Sequence, residues 1–347
     1  MKNTFVATTT YHLYLIILLI ENNRLTNALD DNLLVIIEHT DGINLITDNL
    51  VKYNYFRKVI VIPNKRKQKN KLGKFNYLFN RKKLVSILDS TCEGLKEEEE
   101  FINNSKIYIS DIDSTKNYFY FKFKLKKFSM IESGSLTYIM VPSKSLIFKK
   151  RILQNGFIEN GYDDISIVEE VYAISPEKLP EVLRKKSVKI DINKISESLS
   201  DKSIETIFKV FNFEISLDKS KKKALVITQP LYIESLVKTE DIKINIFKDL
   251  ISKIPKDYKI FIKTHPRENT DYTKHFTNVT VFPKLFPAEL FLLLGKDTFD
   301  VGYTLFSTAL SNLGHCVTNR KFVALDYIDQ MEKNQNGIRE AIKLYVE

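Results

Sequence analysis

Twice along this chain a short apolar run breaks off at polar or proline residues, gives way to a helical stretch and is followed by another such run. The first series holds NTFVATT (3–9), a helical stretch over 11–29, DNLLVIIEH (31–39), FRKVIVIP (56–63) and IYISDID (107–113). The second holds KKKALVITQPL (221–231), a helix over 242–254, YKIFIK (258–263), VTVFP (279–283), a helix PAELFLLLG (287–295), the segment 297–314 and KFVALDY (321–327). Strands that alternate with helices predict a parallel sheet covered on both faces. The expected fold class is therefore α/β, with two Rossmann-like domains facing a central cleft. Pro, Ser and many charges over 176–220 place a connector there, between a first domain over 1–175 and a second over 221–347, whose last helix is free to pack back on the first.

A chain of 347 residues with 44% hydrophobic and 12% aromatic side chains can fill two cores. Its formal charge of +10 comes mostly from lysines spread along the chain, which fits anionic partners in general. The run Lys65 to Lys74 and the alternation of aromatics with lysine over 118–130 also fit a nucleic-acid or anionic-membrane surface, but the period of two is equally that of a strand or interfacial stretch. Cys92 and Cys316 lack metal-ligand spacing, so a reducing compartment and no structural zinc are expected. Leu13 to Ile20 is too short to span a bilayer, and no cleavage signal interrupts it. The protein is expected to be cytoplasmic, with peripheral contact to the inner membrane face and a homodimer left open.

Three segments of the second half follow strands and should meet at one sheet edge, where α/β domains take ligands. They are Thr228-Gln229, the loop Lys263-Thr264-His265-Pro266-Arg267, and Ser307-Thr308 at a helix start. Pro266 cannot extend a ladder, so the strand should stop at His265. His265 can donate a hydrogen bond or a proton near neutral pH, and Lys263 and Arg267 add positive charge. Hydroxyls and unpaired N–H groups at a helix start favour phosphate. Each motif alone also has a plain structural use as a strand stop or an N-cap. Glu289, in Phe286-Pro287-Ala288-Glu289-Leu290, either complements a helix dipole or accepts the hydroxyls of a ribose. Neither GxGxxG nor a P-loop occurs, which weakens nicotinamide and P-loop readings.

The first half offers Glu132 in Ile131-Glu132-Ser133-Gly134-Ser135, a carboxylate on a glycine turn at a strand end and a candidate general base. Asp41-Gly42 is foremost a turn signal. Asp111-Ile112-Asp113 is the nearest approach to a metal-bridging pair, and the basic loops of the second half can neutralise a phosphate in its place. No metal is expected.

In this order, IESGS, QPL, KTHP, FPAEL and the Ser-Thr helix start resemble bacterial sialyltransferases of the glycosyltransferase family 52 type, over most of the chain. That resemblance implies a GT-B fold of two Rossmann-like domains and CMP-sialic acid as donor. It implies inverting, metal-independent transfer, without a cofactor, to a galactose-type hydroxyl of an oligosaccharide or glycolipid such as lipooligosaccharide or capsule. Carried over, His265 binds and protonates the departing CMP phosphate, Ser307 and Thr308 hold the same phosphate, Glu289 matches the ribose-binding carboxylate, and Glu132 is the general base. Thr228, Gln229, Lys263 and Pro266 complete the donor side. The family usually has two acids before the glycine, whereas Ser133 stands second here: if the first acid is the base the chemistry survives, and if the second is essential the protein is slow or Asp41 or Asp111 substitutes. The alternatives are a related GT-B transferase using another donor, for polysialyl or glycerophosphoryl transfer, and a basic nucleic-acid or anionic-membrane binding protein. Basic patches are explained more simply by a membrane-bound or polyanionic acceptor than by nucleic acid.

Overall fold

The computed structural model describes residues 1–25, 31–38, 43–62, 86, 93–110, 119, 122–123, 127–134, 137–138, 168–215, 217, 220–296, 298–332 and 335–339. Asp41, Asp111, Asp113, Cys92, the 65–74 basic run and the final residues 340–347 lie outside them. The chain divides into two compact units, Met1–Val210 and Phe211–Glu347.

The first unit carries a parallel sheet in the order β3-β2-β1-β4-β5-β6-β7. Its strands are β1 (Lys2–Ala7), β2 (Asp31–Ile37), β3 (Lys58–Ile62), β4 (Lys106–Ile109), β5 (Phe128–Ile131), β6 (Val168–Ala173) and β7 (Ser187–Lys189). After Asp31, β2 is buried along its whole length because it is a central strand covered on both faces. The helix Thr10–Leu25 is buried all round from Leu13 to Leu18, so its lack of an apolar stripe reflects a helix enclosed by the domain. None of the described helices is long and apolar enough to cross a membrane.

Two expectations change in this unit. Among the described residues of the alternating stretch 118–130, strand begins at Phe128. Before it, the Phe123 N–H donates to the Phe119 carbonyl at 3.0 Å and the two buried rings lie 5.3 Å apart, the contact that a helical spacing of four creates. The stretch read as a connector, 176–220, holds β7 and the helices Ile192–Ser198 and Asp201–Val210. Asp191 caps the first of these by accepting from the Lys194 N–H at 3.1 Å. The second ends where Asn49 donates to the carbonyls of Lys209 and Val210, at 3.1 and 3.2 Å, satisfying two groups that a helix terminus leaves open.

The second unit repeats the logic with five parallel strands in the order β10-β9-β8-β11-β12. They are β8 (Lys222–Ile227), β9 (Tyr258–Lys263), β10 (Val279–Phe282), β11 (Phe299–Thr304) and β12 (Val317–Phe322). The strand expected over 321–327 comes earlier. Thr318 to Lys321 are exposed on an edge strand, while Ala324, Tyr327 and Ile328, spaced three and four apart, bury one side of a 3-10 turn. Thr239 opens the helix Glu240–Ser252 by accepting from the Ile242 N–H at 3.2 Å. The order of strands reverses between β1 and β4 in the first sheet and between β8 and β11 in the second. A crevice at the carboxyl ends of such strands is the usual ligand position.

Candidate functional site

In the second unit the carboxyl ends of β8, β9 and β11 are joined through two consecutive residues. The Thr228 hydroxyl oxygen accepts from the His265 N–H at 3.3 Å, and Gln229 Oε1 accepts from the Phe306 N–H at 3.0 Å. The His265 loop and the Ser307 helix start are thereby fixed to either side of the end of β8. Ser307 is the N-cap of the helix Thr308–Asn312, its Oγ accepting from the Ala309 N–H at 3.3 Å. Its own N–H faces Thr304 Oγ1 at 3.4 Å. Ser307 and Thr308 keep partial exposure, as do His265 and Pro266.

His265 Nδ1 accepts from the Arg267 N–H at 3.2 Å. An acceptor Nδ1 puts the ring proton on Nε2, which makes that atom a donor. Burial first, then the charges of Arg267 and Lys263, push the imidazole down to about 3, so the ring is neutral at physiological pH. Arg267 itself pairs with Glu234.

Beneath the loop lies Glu268, a residue that the strand-end argument missed. Its buried carboxylate accepts from Thr228 Oγ1, from Lys243 Nζ at 2.9 Å, from Tyr272 OH at 2.8 Å and from the His265 N–H at 3.0 Å. Lys243 is itself buried in the helix Glu240–Ser252, where it also meets Glu240 at 2.6 Å and the Thr270 hydroxyl. A lysine and a glutamate that leave water together need these added hydrogen bonds. The only sequence signal is a lysine amid the apolar residues of the helix.

Lys263 takes a different place from the one expected. It is 2% exposed, its ammonium donates to the carbonyls of Thr264 at 2.7 Å and Lys284 at 3.2 Å, and it lies over the Phe286 ring at 4.7 Å. Burial lowers it to about 7, against the pull of Glu289 and Glu268. It braces the end of β9 from inside, and its charge acts on the loop at a distance. Thr228 and Gln229 are likewise buried and spent on holding loops. Glu289 is buried in the 3-10 turn Ala288–Leu294 and accepts from Asn312 Nδ2 at 3.1 Å, which ties it to the far end of the Ser307 helix.

In the first unit, Glu132 follows β5 and is 2% exposed. Its carboxylate accepts from the hydroxyls of Tyr11 and Tyr138 and from the Ile174 N–H, the last at 2.7 Å. Burial raises its pKa, and the three donors oppose that rise. The turn behind it needs Gly134 at φ +78, closed by the Thr137 N–H on the Gly134 carbonyl at 3.1 Å. Ser133 donates its N–H to Thr137 Oγ1 at 2.8 Å, so the position where an acid was expected supports the turn. Among the described residues no cluster of three or more His, Cys, Asp or Glu converges as metal ligands.

Solved structures of similar fold include the α/β-galactoside α-2,3-sialyltransferase of Photobacterium phosphoreum, at TM-score 0.54 and 13% identity over 92% of this chain and 89% of that one. The GT-B domain of the Photobacterium damselae sialyltransferase matches at TM-score 0.52 and 13% identity over 92% and 90% of the two chains. The UDP-GlcNAc 2-epimerase of Neisseria meningitidis, bound to UDP-GlcNAc, matches at TM-score 0.50 and 13% identity over 89% and 79%. At such identities the likeness is one of fold. In sequence, an uncharacterized protein of Haemophilus influenzae is 32% identical over 149 residues, covering 41% of this chain and 46%, less than half, of that protein. The profile named Glycosyltransferase family 52 matches residues 67–328. That span takes in Glu132, the His265 loop, Glu289 and the Ser307 helix start, and the chain accordingly belongs to glycosyltransferase family 52.

Proposed function

We propose that the protein moves sialic acid from CMP-sialic acid to a terminal galactose-type hydroxyl of a bacterial surface glycan, lipooligosaccharide or capsule, with inversion and without a metal ion. The observation that carries this reading is the pair of bonds from Thr228 and Gln229, which set the Nε2–H donor of His265 and the partly exposed Ser307 and Thr308 around one strand end. Both are anion-binding groups. Family membership and the sialyltransferase folds support the choice of donor.

The chemistry has two needs. The bond between the anomeric carbon and the phosphate oxygen breaks through an oxocarbenium-like state, and its electron pair leaves with CMP. His265 donates a hydrogen bond from Nε2 to that phosphate; the arriving negative charge raises the imidazole pKa, the ring takes up a proton from solvent at Nδ1 in exchange for the Arg267 N–H bond, and the Nε2 proton passes to the phosphate oxygen as the bond breaks, leaving a neutral ring. Ser307 and Thr308 hold the same phosphate, and Glu289, oriented by Asn312, accepts from the ribose. On the other side the acceptor hydroxyl must lose its proton, and Glu132 is the base that receives it. The +10 charge supports peripheral contact with an anionic membrane carrying the acceptor.

The test is His265→Ala. CMP release from CMP-sialic acid should fall by about 10²–10⁴-fold with an unchanged circular dichroism spectrum, the range that general acid catalysis contributes. Full activity in the variant contradicts the proposal.

A further inference from the structure

Glu132 presents a difficulty for a group that must take a proton from a sugar. At 2% exposure its carboxylate has no open approach, and two tyrosine hydroxyls and a backbone N–H already occupy it. A base and the group it deprotonates must come within hydrogen-bond reach, directly or through one intermediary. Among the described residues, the two tyrosines are the side chains that both touch the carboxylate and keep partial exposure. They differ in place. Tyr138 sits on the glycine turn, and its oxygen also accepts from the Ser175 N–H at 3.2 Å. Tyr11 lies in the first turn of the helix Thr10–Leu25, just past the end of β1, where the strand order reverses toward β4. That is the crevice position of this sheet.

Resting on the transferase reading above, we infer that Tyr11 is the residue that touches the acceptor hydroxyl, and that it relays the acceptor's proton to Glu132. As the acceptor oxygen bonds to the anomeric carbon, its proton passes to the Tyr11 oxygen, and the proton of Tyr11 passes to Oε1 of Glu132. Tyr11 ends neutral, Glu132 ends as a carboxylic acid, and the proton returns to solvent after release. Charge is conserved, and the electron pair of the broken donor bond leaves with CMP. The raised pKa of the buried carboxylate makes it the stronger base for this task. Ser133 then has no proton to move, which fits its use in the turn.

The experiment measures two rates on the intact protein with CMP-sialic acid: transfer to a galactose-terminated acceptor, and hydrolysis of the donor without acceptor. Tyr11→Phe should lower transfer by about 100-fold or more while leaving hydrolysis within about threefold. In the variant Tyr11→Phe with Glu132→Gln, transfer should be no lower than in Glu132→Gln alone, since both groups act on one proton. Fluorinated tyrosines placed at position 11 keep the hydroxyl and its shape but change its acidity, and transfer should follow that acidity, a response that a purely structural hydroxyl does not give. Transfer by Tyr11→Phe near the wild-type rate, multiplicative losses in the double variant, or a flat response to fluorination each overturns the relay. A wild type that transfers nothing from CMP-sialic acid overturns the transferase reading and the relay with it; an active wild type matched by Tyr11→Phe overturns the relay alone.

Discussion

Glu268 is the residue on which the His265 loop depends, because its single buried carboxylate holds Thr228, Lys243, Tyr272 and the His265 N–H together. Removing one partner of such a pair leaves the other charge stranded out of water. Glu268→Leu should therefore cost about 3–5 kcal/mol in urea unfolding, and adding Lys243→Leu should recover most of the loss. A cost below about 1 kcal/mol, the scale of an exposed ion pair, would mean that the pair is solvated. The contrast with His265 shows what a sequence can disclose about a site. His265 stands at a strand end beside a proline, where local chemistry marks it, and Ser307 stands one residue before a helix. Glu268 looks like any acid after Pro-Arg, and its partner Lys243 lies 25 residues away in sequence. Tyr11 was equally silent, since an aromatic in an apolar helix start reads as core until the fold carries it to Glu132.

At the scale of elements, the placing of Ser307 depends on how closely the helix Thr308–Asn312 lies on β11. Gly302, in the middle of that strand, makes room for it. A Cβ there would stand 2.5 Å from Cδ1 of Leu310 and 2.9 Å from Cγ1 of Val317. Gly302→Ala should destabilise by about 1–3 kcal/mol, because overpacking outweighs the gain from a stiffer unfolded chain. It should also weaken CMP binding, because Leu310 is displaced with the helix that presents Ser307. A variant as stable as the wild type, binding CMP equally well, contradicts this packing. The strands themselves were legible where apolar runs were continuous, as in β2 and β8, because a central parallel strand is buried on both faces. Legibility failed at the edge. The exposed Thr318 to Lys321 carry no apolar signal, so the more apolar residues after them were read as the strand. Over 118–130, alternating aromatics suggested a strand or an interfacial stretch; among the described residues Phe119 and Phe123 meet at a spacing of four and strand begins at Phe128.

For the whole molecule, the chain's two alternating series correspond to two parallel sheets, each with a reversal of strand order and each with its candidate chemistry past strand ends. The first unit carries a sheltered carboxylate with its tyrosines, and the second carries a neutral imidazole and a helix start linked through β8. A base for an incoming hydroxyl and an acid with an anion site for a leaving phosphate are the two halves of a group transfer. The most direct measurement is turnover of CMP-sialic acid, set beside UDP- and GDP-sugars, with a galactose-terminated acceptor and excess EDTA. Release of CMP with formation of a sialylated product, undiminished by EDTA, is the expected result; turnover of the UDP- or GDP-sugars alone, or none from CMP-sialic acid, contradicts the assignment.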